Sequence, residues 1–294
     1  MEVVVTRDEL HKQRHALAVK HHHKEMERPL IGLVPTMGAL HRGHRALIER
    51  MCAECDVSVV SIFVNPKQFG QGEDLDVYPR TLDSDLSICR AAGAHIVFAP
   101  ADEEVYPPGY STTVSVDGMT ARWCGQSRPG HFNGVTTVVA KLLGACRPDR
   151  VYFGEKDFQQ LQVVKRMVRD LDIGIDIVAC PTVREEDGLA MSSRNQYLSP
   201  SERRIAPRLY AALKRMAACY SGGVQDVESL IVEAKQVLYP SGDDTIKVEY
   251  LAIVEPEALT PRERAQHGDR ALIAAKLGTT RLIDNIALTG GEVG

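Results

Sequence analysis

Two histidines, His41 and His44, lie one helical turn apart in the string Pro35-Thr36-Met37-Gly38-Ala39-Leu40-His41-Arg42-Gly43-His44. At that i, i+3 spacing both imidazoles face one side of a helix. Gly38 and Gly43 let a ligand approach the backbone closely, and a helix start supplies unpaired N–H groups with a partial positive charge. The chemistry this suits is phosphate binding, with both imidazoles able to face one ligand. The same H-x-G-H also suits a helix-capping loop with surface histidines, and four residues alone do not separate the two readings.

Three further segments concentrate polar groups. Phe63-Val64-Asn65-Pro66-Lys67-Gln68-Phe69 carries Gln68, whose amide can hold a hydroxyl and a carboxylate oxygen without adding charge; its other reading is a loop-tying amide. Gly154-Glu155-Lys156-Asp157-Phe158-Gln159-Gln160 combines a cation, carboxylates and two amides, with a surface Lys156–Asp157 ion pair as the bland alternative. Met191-Ser192-Ser193-Arg194-Asn195 offers hydroxyls and a guanidinium suited to triphosphate oxygens. No recognisable Ser–His or Cys–His nucleophile motif occurs, so catalysis here would rest on positioning and charge stabilisation.

These segments need a frame that places them at strand ends. Leu30–Val34, Val57–Val64, His95–Ala99, Arg150–Phe153 and Ile175–Ala179 are nearly continuous apolar runs, as strands buried on both faces are. Between them Arg45–Cys55, Thr81–Ala92, Val135–Cys146 and Phe158–Leu171 show helical spacing. The alternation predicts an α/β fold, a Rossmann-like parallel sheet with helices on both faces, and puts the polar segments at the carboxyl edge where such sheets bind ligands.

After Pro181 the rhythm changes. Ser199-Pro200-Ser201-Glu202 reads as a capping box opening a helix to about Tyr220. A second helix at Val227–Leu238 precedes strands at Lys247–Val254, Arg270–Leu277 and Arg281–Ala287. The expected division is 1–182, Rossmann-like, and 183–294, a smaller α+β domain.

With 294 residues, 44% apolar and 25% charged, the chain reads as globular, and its net charge of −4 gives no general pull towards nucleic acid or anionic lipid. Met1–Arg14 lacks the pattern of a secretory signal, and no apolar run is long enough to span a bilayer, so the expected location is cytoplasmic with no membrane partner. Seven scattered cysteines are expected to be free thiols, Cys52 and Cys55 being helix positions. His21, His22 and His23 read as a solvated helix end.

His41-Arg42-Gly43-His44 resembles the HIGH signature of the HIGH/KMSKS nucleotidyltransferases, and the full string from Pro35 resembles the first motif of the pantothenate synthetase family. The other three segments agree in order, and Thr280-Arg281-Leu282-Ile283-Asp284-Asn285 also resembles that family. The resemblance implies ATP-dependent joining of pantoate to β-alanine through a pantoyl adenylate, with Mg²⁺ carried on the ATP phosphates and a homodimer as the assembly. It implies ATP contacts at Met37, Gly38, Ala39, Leu40, His41, Arg42, Gly43, His44, Gly154, Glu155, Lys156, Asp157, Val183, Met191, Ser192, Ser193 and Arg194. His44, His41, Lys156 and Arg194 would act on the reacting phosphate. Gln68 would hold pantoate and β-alanine, Gln160 would hold pantoate, and Arg128 and His131 would line the acid or amine pocket. The second signature loop lacks its usual first lysine, which disfavours a tRNA synthetase; Lys156 would supply that cation. An adenylyltransferase acting on a phosphate ester and a non-catalytic ATP sensor are the competing readings.

Overall fold

The computed structural model describes residues 1–21 and 28–289, in two units: Met1–Glu155 with Val163–Pro181, and Lys156–Gln162 with Thr182 onward. The elements of the first are β1 (Glu2–Val4), α1 (Arg7–His21), β2 (Ile31–Thr36), α2 (Arg42–Glu54), β3 (Val57–Ile62), α3 (Leu82–Ala91), β4 (Ile96–Phe98), α4 (Asp102–Val105), α5 (Cys124–Ser127), α6 (His131–Cys146), β5 (Arg150–Gly154), α7 (Phe158–Asp170) and β6 (Asp176–Cys180). The first turn of α7 belongs to the second unit.

All six strands pair in parallel in the order β1-β4-β3-β2-β5-β6. Such a sheet must be covered on both faces, which is why β3 is buried at five consecutive positions. α2 packs on β2, β3 and β5, while α1 and α6 pack on one another and on β3 and β2 respectively. The chain order reverses between β2 and β5, which are neighbours. At such a switch point the two outgoing loops part and leave a crevice; here those loops begin at Met37 and Glu155.

The five anticipated strands and four crossover helices are present, each within a few residues of the anticipated ends. The sequence reading missed β1 and gave α1 no bounds beyond a helix end at the histidines. β1 is an edge strand with Val3 43% exposed, and α1 is polar on most of its surface, so neither carries a clear apolar period. Of the three histidines read as a helix end, His21 closes α1, whereas His22 and His23 lie outside the described residues. All seven cysteines are free.

In the second unit the elements are α8 (Pro200–Ile205), α9 (Arg208–Ser221), α10 (Val227–Leu238), β7 (Ile246–Val254), β8 (Arg270–Leu277) and β9 (Thr280–Ala287). The capping box forms as read, with Ser199 Oγ accepting from Glu202 N and the Glu202 carboxylate accepting from Ser199 N. The helix to Tyr220 is a correction: it is split at Pro207. A proline inside a helix removes one hydrogen bond and clashes with the preceding turn at a cost of about 3 kcal/mol, so the chain ends α8 and starts α9 afresh. The sheet is antiparallel, β7-β8-β9. α9 and α10 pack together and close its apolar face through Leu209, Leu213, Met216, Leu230, Ile273 and Leu277.

Candidate active site

In the first unit the loop after β2 is built to present backbone. Thr36 Oγ1 donates to Ser61 O (2.8 Å) and accepts from Gly38 N (3.2 Å), which fixes the turn as it leaves the sheet. Gly38 has φ +80, and a Cβ there would lie 3.0 Å from Asp85 Oδ2 and 3.2 Å from Ile62 Cγ2, so glycine is required. The next residue, Ala39, also has positive φ (49), in the region L side chains avoid. This unfavourable geometry is held by Asp85 of α3, whose carboxylate accepts from Ala39 N (3.0 Å), Leu40 N (2.8 Å) and Thr81 Oγ1 (3.2 Å). Burial raises the Asp85 carboxyl above its ordinary value, against the pull of the Leu40 and Ala39 N–H groups.

His41 and His44 then cap α2 reciprocally. His41 Nδ1 accepts from Gly43 N (3.1 Å), and His44 Nδ1 accepts from His41 N (3.3 Å), with the ring centroids 4.1 Å apart. Because each Nδ1 accepts, the proton of each neutral ring is on Nε2. The capping reading and the phosphate reading are therefore compatible, since they use different nitrogens of the same rings. The helix begins at Arg42, so its positive end lies at this pair.

Gln68 sits at the end of a single 3-10 turn, Pro66–Gln68, and is 8% exposed. Tyr106 Oη donates to Asn65 Oδ1 (2.8 Å), Asn65 Nδ2 donates to Gln68 Oε1 (3.0 Å) and to Gly134 O (3.1 Å), and Gln68 Nε2 points at Met37 Sδ (2.9 Å). The Gly134 carbonyl can only accept, so Asn65 must turn its NH₂ towards it and its Oδ1 towards Tyr106, whose hydroxyl therefore donates, and the Gln68 amide is oriented in turn. Gly134 lets α6 touch this turn, since a Cβ would fall 2.1 Å from Lys67 O and 2.6 Å from Gln68 Cα.

Arg128 and His131 meet the same turn from its backbone side. His131 Nδ1 donates to Gln68 O (2.8 Å), leaving Nε2 to accept from Arg128 (3.1 Å). The Arg128 guanidinium also takes Glu73 in a two-point pair, 2.7 and 2.6 Å, and Glu73 lies in the Gly70–Pro79 loop. Burial pushes the Glu73 carboxyl up, but the bonds and charge of Arg128 outweigh it and leave the carboxyl below its ordinary value. Gly154 and Glu155 close the first unit's share, at the end of β5.

In the second unit Lys156 and Asp157 complete a 3-10 turn that runs into α7, with Lys156 Nζ 3.6 Å from Asp157 Oδ2. Asn285 Nδ2 donates to Lys156 O (3.0 Å). Val183 starts a tight hairpin closed by Met191 N→Val183 O (3.0 Å), an Arg184–Ala190 bridge and Glu185 N→Leu189 O (2.8 Å). Met191 is buried, Ser192 Oγ accepts from Arg194 N (3.3 Å), and Asn195 Nδ2 donates to Ala190 O (3.1 Å). Gln160 is half-buried on the first turn of α7.

The first unit thus gathers Met37–His44, Gln68, Arg128 and His131, and the second gathers Lys156, Asp157, Gln160, Val183 and Met191–Arg194. Sequence reasoning assigned no role to Asp85, Asn65, Glu73 or Asn285. A signal existed for Asp85: it shares the inward stripe of its helix with Cys89 and Ala92, and a carboxylate on such a stripe needs dedicated donors.

The family model described as Pantoate-beta-alanine ligase matches residues 3–287. A bifunctional pantoate ligase/cytidylate kinase of Synechococcus elongatus is 51% identical over 265 residues, 88% of this chain and 50% of that protein, so the chain spans about half the length of that relative. The crystal structure of pantothenate synthetase from Thermus thermophilus superposes with a TM-score of 0.90 at 48% identity, covering 98% of this chain and 100% of the other. That of pantoate-beta-alanine ligase from Francisella tularensis, complexed with beta-gamma ATP and beta-alanine, gives a TM-score of 0.78 at 33% identity, with 98% of each chain covered.

Proposed function

Because this chain belongs to the pantoate–β-alanine ligase family, we propose that it condenses (R)-pantoate with β-alanine, converting ATP to AMP and pyrophosphate and releasing pantothenate. The observation that carries this reading is the match over residues 3–287, which spans every residue assigned to the site.

The reaction runs in two steps. A pantoate carboxylate oxygen attacks the α-phosphorus of ATP, and the bond to the bridging oxygen breaks to free pyrophosphate. The β-alanine amine then attacks the carbonyl of the pantoyl adenylate, loses its proton, and expels AMP. No enzyme nucleophile takes part. His41, His44, Lys156 and Arg194 stabilise charge on the reacting phosphate and the departing pyrophosphate, and His44 serves as proton donor. Protonation at Nε2, as the capping bonds dictate, suits both histidines to that work.

Met37–His44 and Gly154–Asp157 bind ATP, with Val183 contacting adenine through its backbone and Met191–Arg194 the phosphates. Gln68 and Gln160 hold pantoate. Gln68 also holds β-alanine, and Arg128 and His131 line the acid or amine pocket. Magnesium would enter on the ATP phosphates. Residues 1–182 supply the ATP- and pantoate-binding domain and 183–294 a lid domain, with Lys156–Gln162 belonging to the second unit, in a cytoplasmic homodimer. Among the described residues no helix is long and apolar enough to cross a membrane.

The test is AMP and pyrophosphate release from MgATP with pantoate and β-alanine together, then with each omitted, with the product identified by mass spectrometry and Lys156→Ala alongside. Pantothenate formed only with both substrates, and lost in the variant, is the expected result. A dinucleotide product would indicate an adenylyltransferase, and ATP bound without cleavage a sensor.

A further inference from the structure

The segment Thr280–Asn285 is family-like in sequence, yet none of its residues has a part in the chemistry above. Within the second unit its last two residues tie down two of the segments assigned to ATP. β9 carries Asp284 and Asn285 as consecutive residues that are 4% and 3% exposed. Successive strand residues point to opposite faces, so two buried polar neighbours mean that both faces of β9 are covered at this point and both side chains need partners.

Asp284 takes the Arg184 guanidinium by two points, 2.6 and 2.9 Å, while Arg184 also donates to Gly188 O (3.1 Å) and stacks 3.5 Å over the Tyr210 ring. That arginine opens the hairpin leading into Met191–Arg194. Asn285 takes the other segment. Its Oδ1 accepts from Arg270 Nε (2.6 Å), and its Nδ2 donates to Lys156 O (3.0 Å). Arg270 in turn lies 4.3 Å over the Phe158 ring, directly after the Lys156 turn.

The orientation of the Asn285 amide follows from chemistry. Arginine can only donate and a carbonyl can only accept, so Oδ1 must face Arg270 and the NH₂ must face Lys156. No other side chain of that size can both accept from Arg270 and donate to the carbonyl. The 3-10 turn Glu155–Asp157 is a single turn with no ladder of its own, and the carbonyl of Lys156 sits where it meets α7. Holding that carbonyl fixes the peptide plane beside the Lys156 Cα, and with it the direction in which the side chain leaves the turn.

We propose that Asn285 is a positioning residue for Lys156: by gripping its main-chain carbonyl it aims the ammonium at the reacting phosphate. The inference rests on the role given to Lys156 above. Asn285→Asp keeps the size and the Arg270 partner but sets an acceptor against the Lys156 carbonyl. A misplaced group can lower a rate by about 100-fold, so kcat for pantoate-dependent AMP formation should fall about 10- to 100-fold with the KM for β-alanine unchanged. In the double variant with Lys156→Ala the rate should be no lower than in Lys156→Ala alone, because the effect passes through that side chain.

Amide hydrogen exchange read by mass spectrometry supplies a second measure, independent of activity: exchange in the peptide spanning Gly154–Gln160 should rise in Asn285→Asp, while that in β2 and β3 stays as in the wild type. A wild-type kcat in Asn285→Asp, losses that multiply in the double variant, or unchanged exchange at the Lys156 turn would each overturn the proposal. A wild-type chain that makes no pantothenate would overturn the functional reading instead, and the exchange measurement would still decide whether Asn285 holds the turn.

Discussion

Asp85 and Leu40 are separated by 45 residues in sequence, yet the carboxylate of the first accepts the backbone N–H of the second at 2.8 Å. With Ala39 N on its other oxygen, Asp85 holds the positive-φ turn from a distant part of the sequence. Asp85→Ala leaves two inward-facing N–H groups without a partner, which costs on the order of 2–4 kcal/mol. Asp85→Asn, with one accepting oxygen, should lose about half of that. Urea unfolding of the two variants measures the difference, and equal stability of wild type and Asp85→Ala would contradict the account.

The double duty of His41 can be separated by substitution. Asparagine is a good N-cap, so His41→Asn should keep the stability of α2, whereas His41→Ala should lose about 1 kcal/mol. Both should lose adenylation by about 100-fold or more, since neither offers an imidazole to the phosphate. If His41→Asn is as active as the wild type, the ring serves only as a cap.

Glu73 and Arg128 give the Gly70–Pro79 loop a pH response. The Glu73 carboxyl lies below its ordinary 4.5, so its pairing contributes stability that is present above pH 4.5 and lost as pH falls through the depressed value. Protease cleavage within Gly70–Pro79 should therefore accelerate below pH 4.5 in the wild type. In Glu73→Gln it should be fast already at neutral pH and change little on acidification. An acyl adenylate hydrolyses if water reaches it, so we expect this loop or the second domain to close over it and the loop to be less readily cut in the ligand-bound enzyme; equal cutting with and without ATP and pantoate would count against closure of the loop.

Gly134→Ala tests the contact of α6 with the Gln68 turn. A Cβ 2.1 Å from Lys67 O cannot be absorbed by side-chain motion, because the obstructing atom is backbone. Overpacking of this kind costs about 1–3 kcal/mol, and the displaced turn should raise the KM for pantoate more than that for ATP. Calorimetry and initial rates report the two effects separately.

Strands β2, β3, β4 and β5 were legible in the sequence because burial on both faces leaves an unbroken apolar run, and the loops that follow β2 and β5 because glycine, histidine and lysine are dense there. β1 escaped because it is an edge strand of three residues with a single buried side chain, too short to show a run. The residues that hold the site escaped for a different reason. Asp85 serves Leu40, Asn285 serves Lys156, and Glu73 serves Arg128, across separations of 45, 129 and 55 residues. A carboxylate or an amide announces what it can bond, but only the folded chain decides what stands opposite it. Pro207 is the contrary case, a local signal strong enough to have ended α8 on inspection.

The excursion of Lys156–Gln162 into the second unit, between two stretches that belong to the first, bears on how the protein could be cut. The sheet order invites a cleavage point at Pro181, yet the amino-terminal fragment would carry Phe158 and Leu161, 6% and 1% exposed in the whole chain, away from the residues that their segment packs with. Fragments split there should aggregate when made singly and recover activity only when made together. The domains of this chain can be drawn separately but not inherited separately: a gene fusion or a recombination event that exchanged the carboxyl-terminal half would have to carry a seam compatible with Lys156–Gln162 as well.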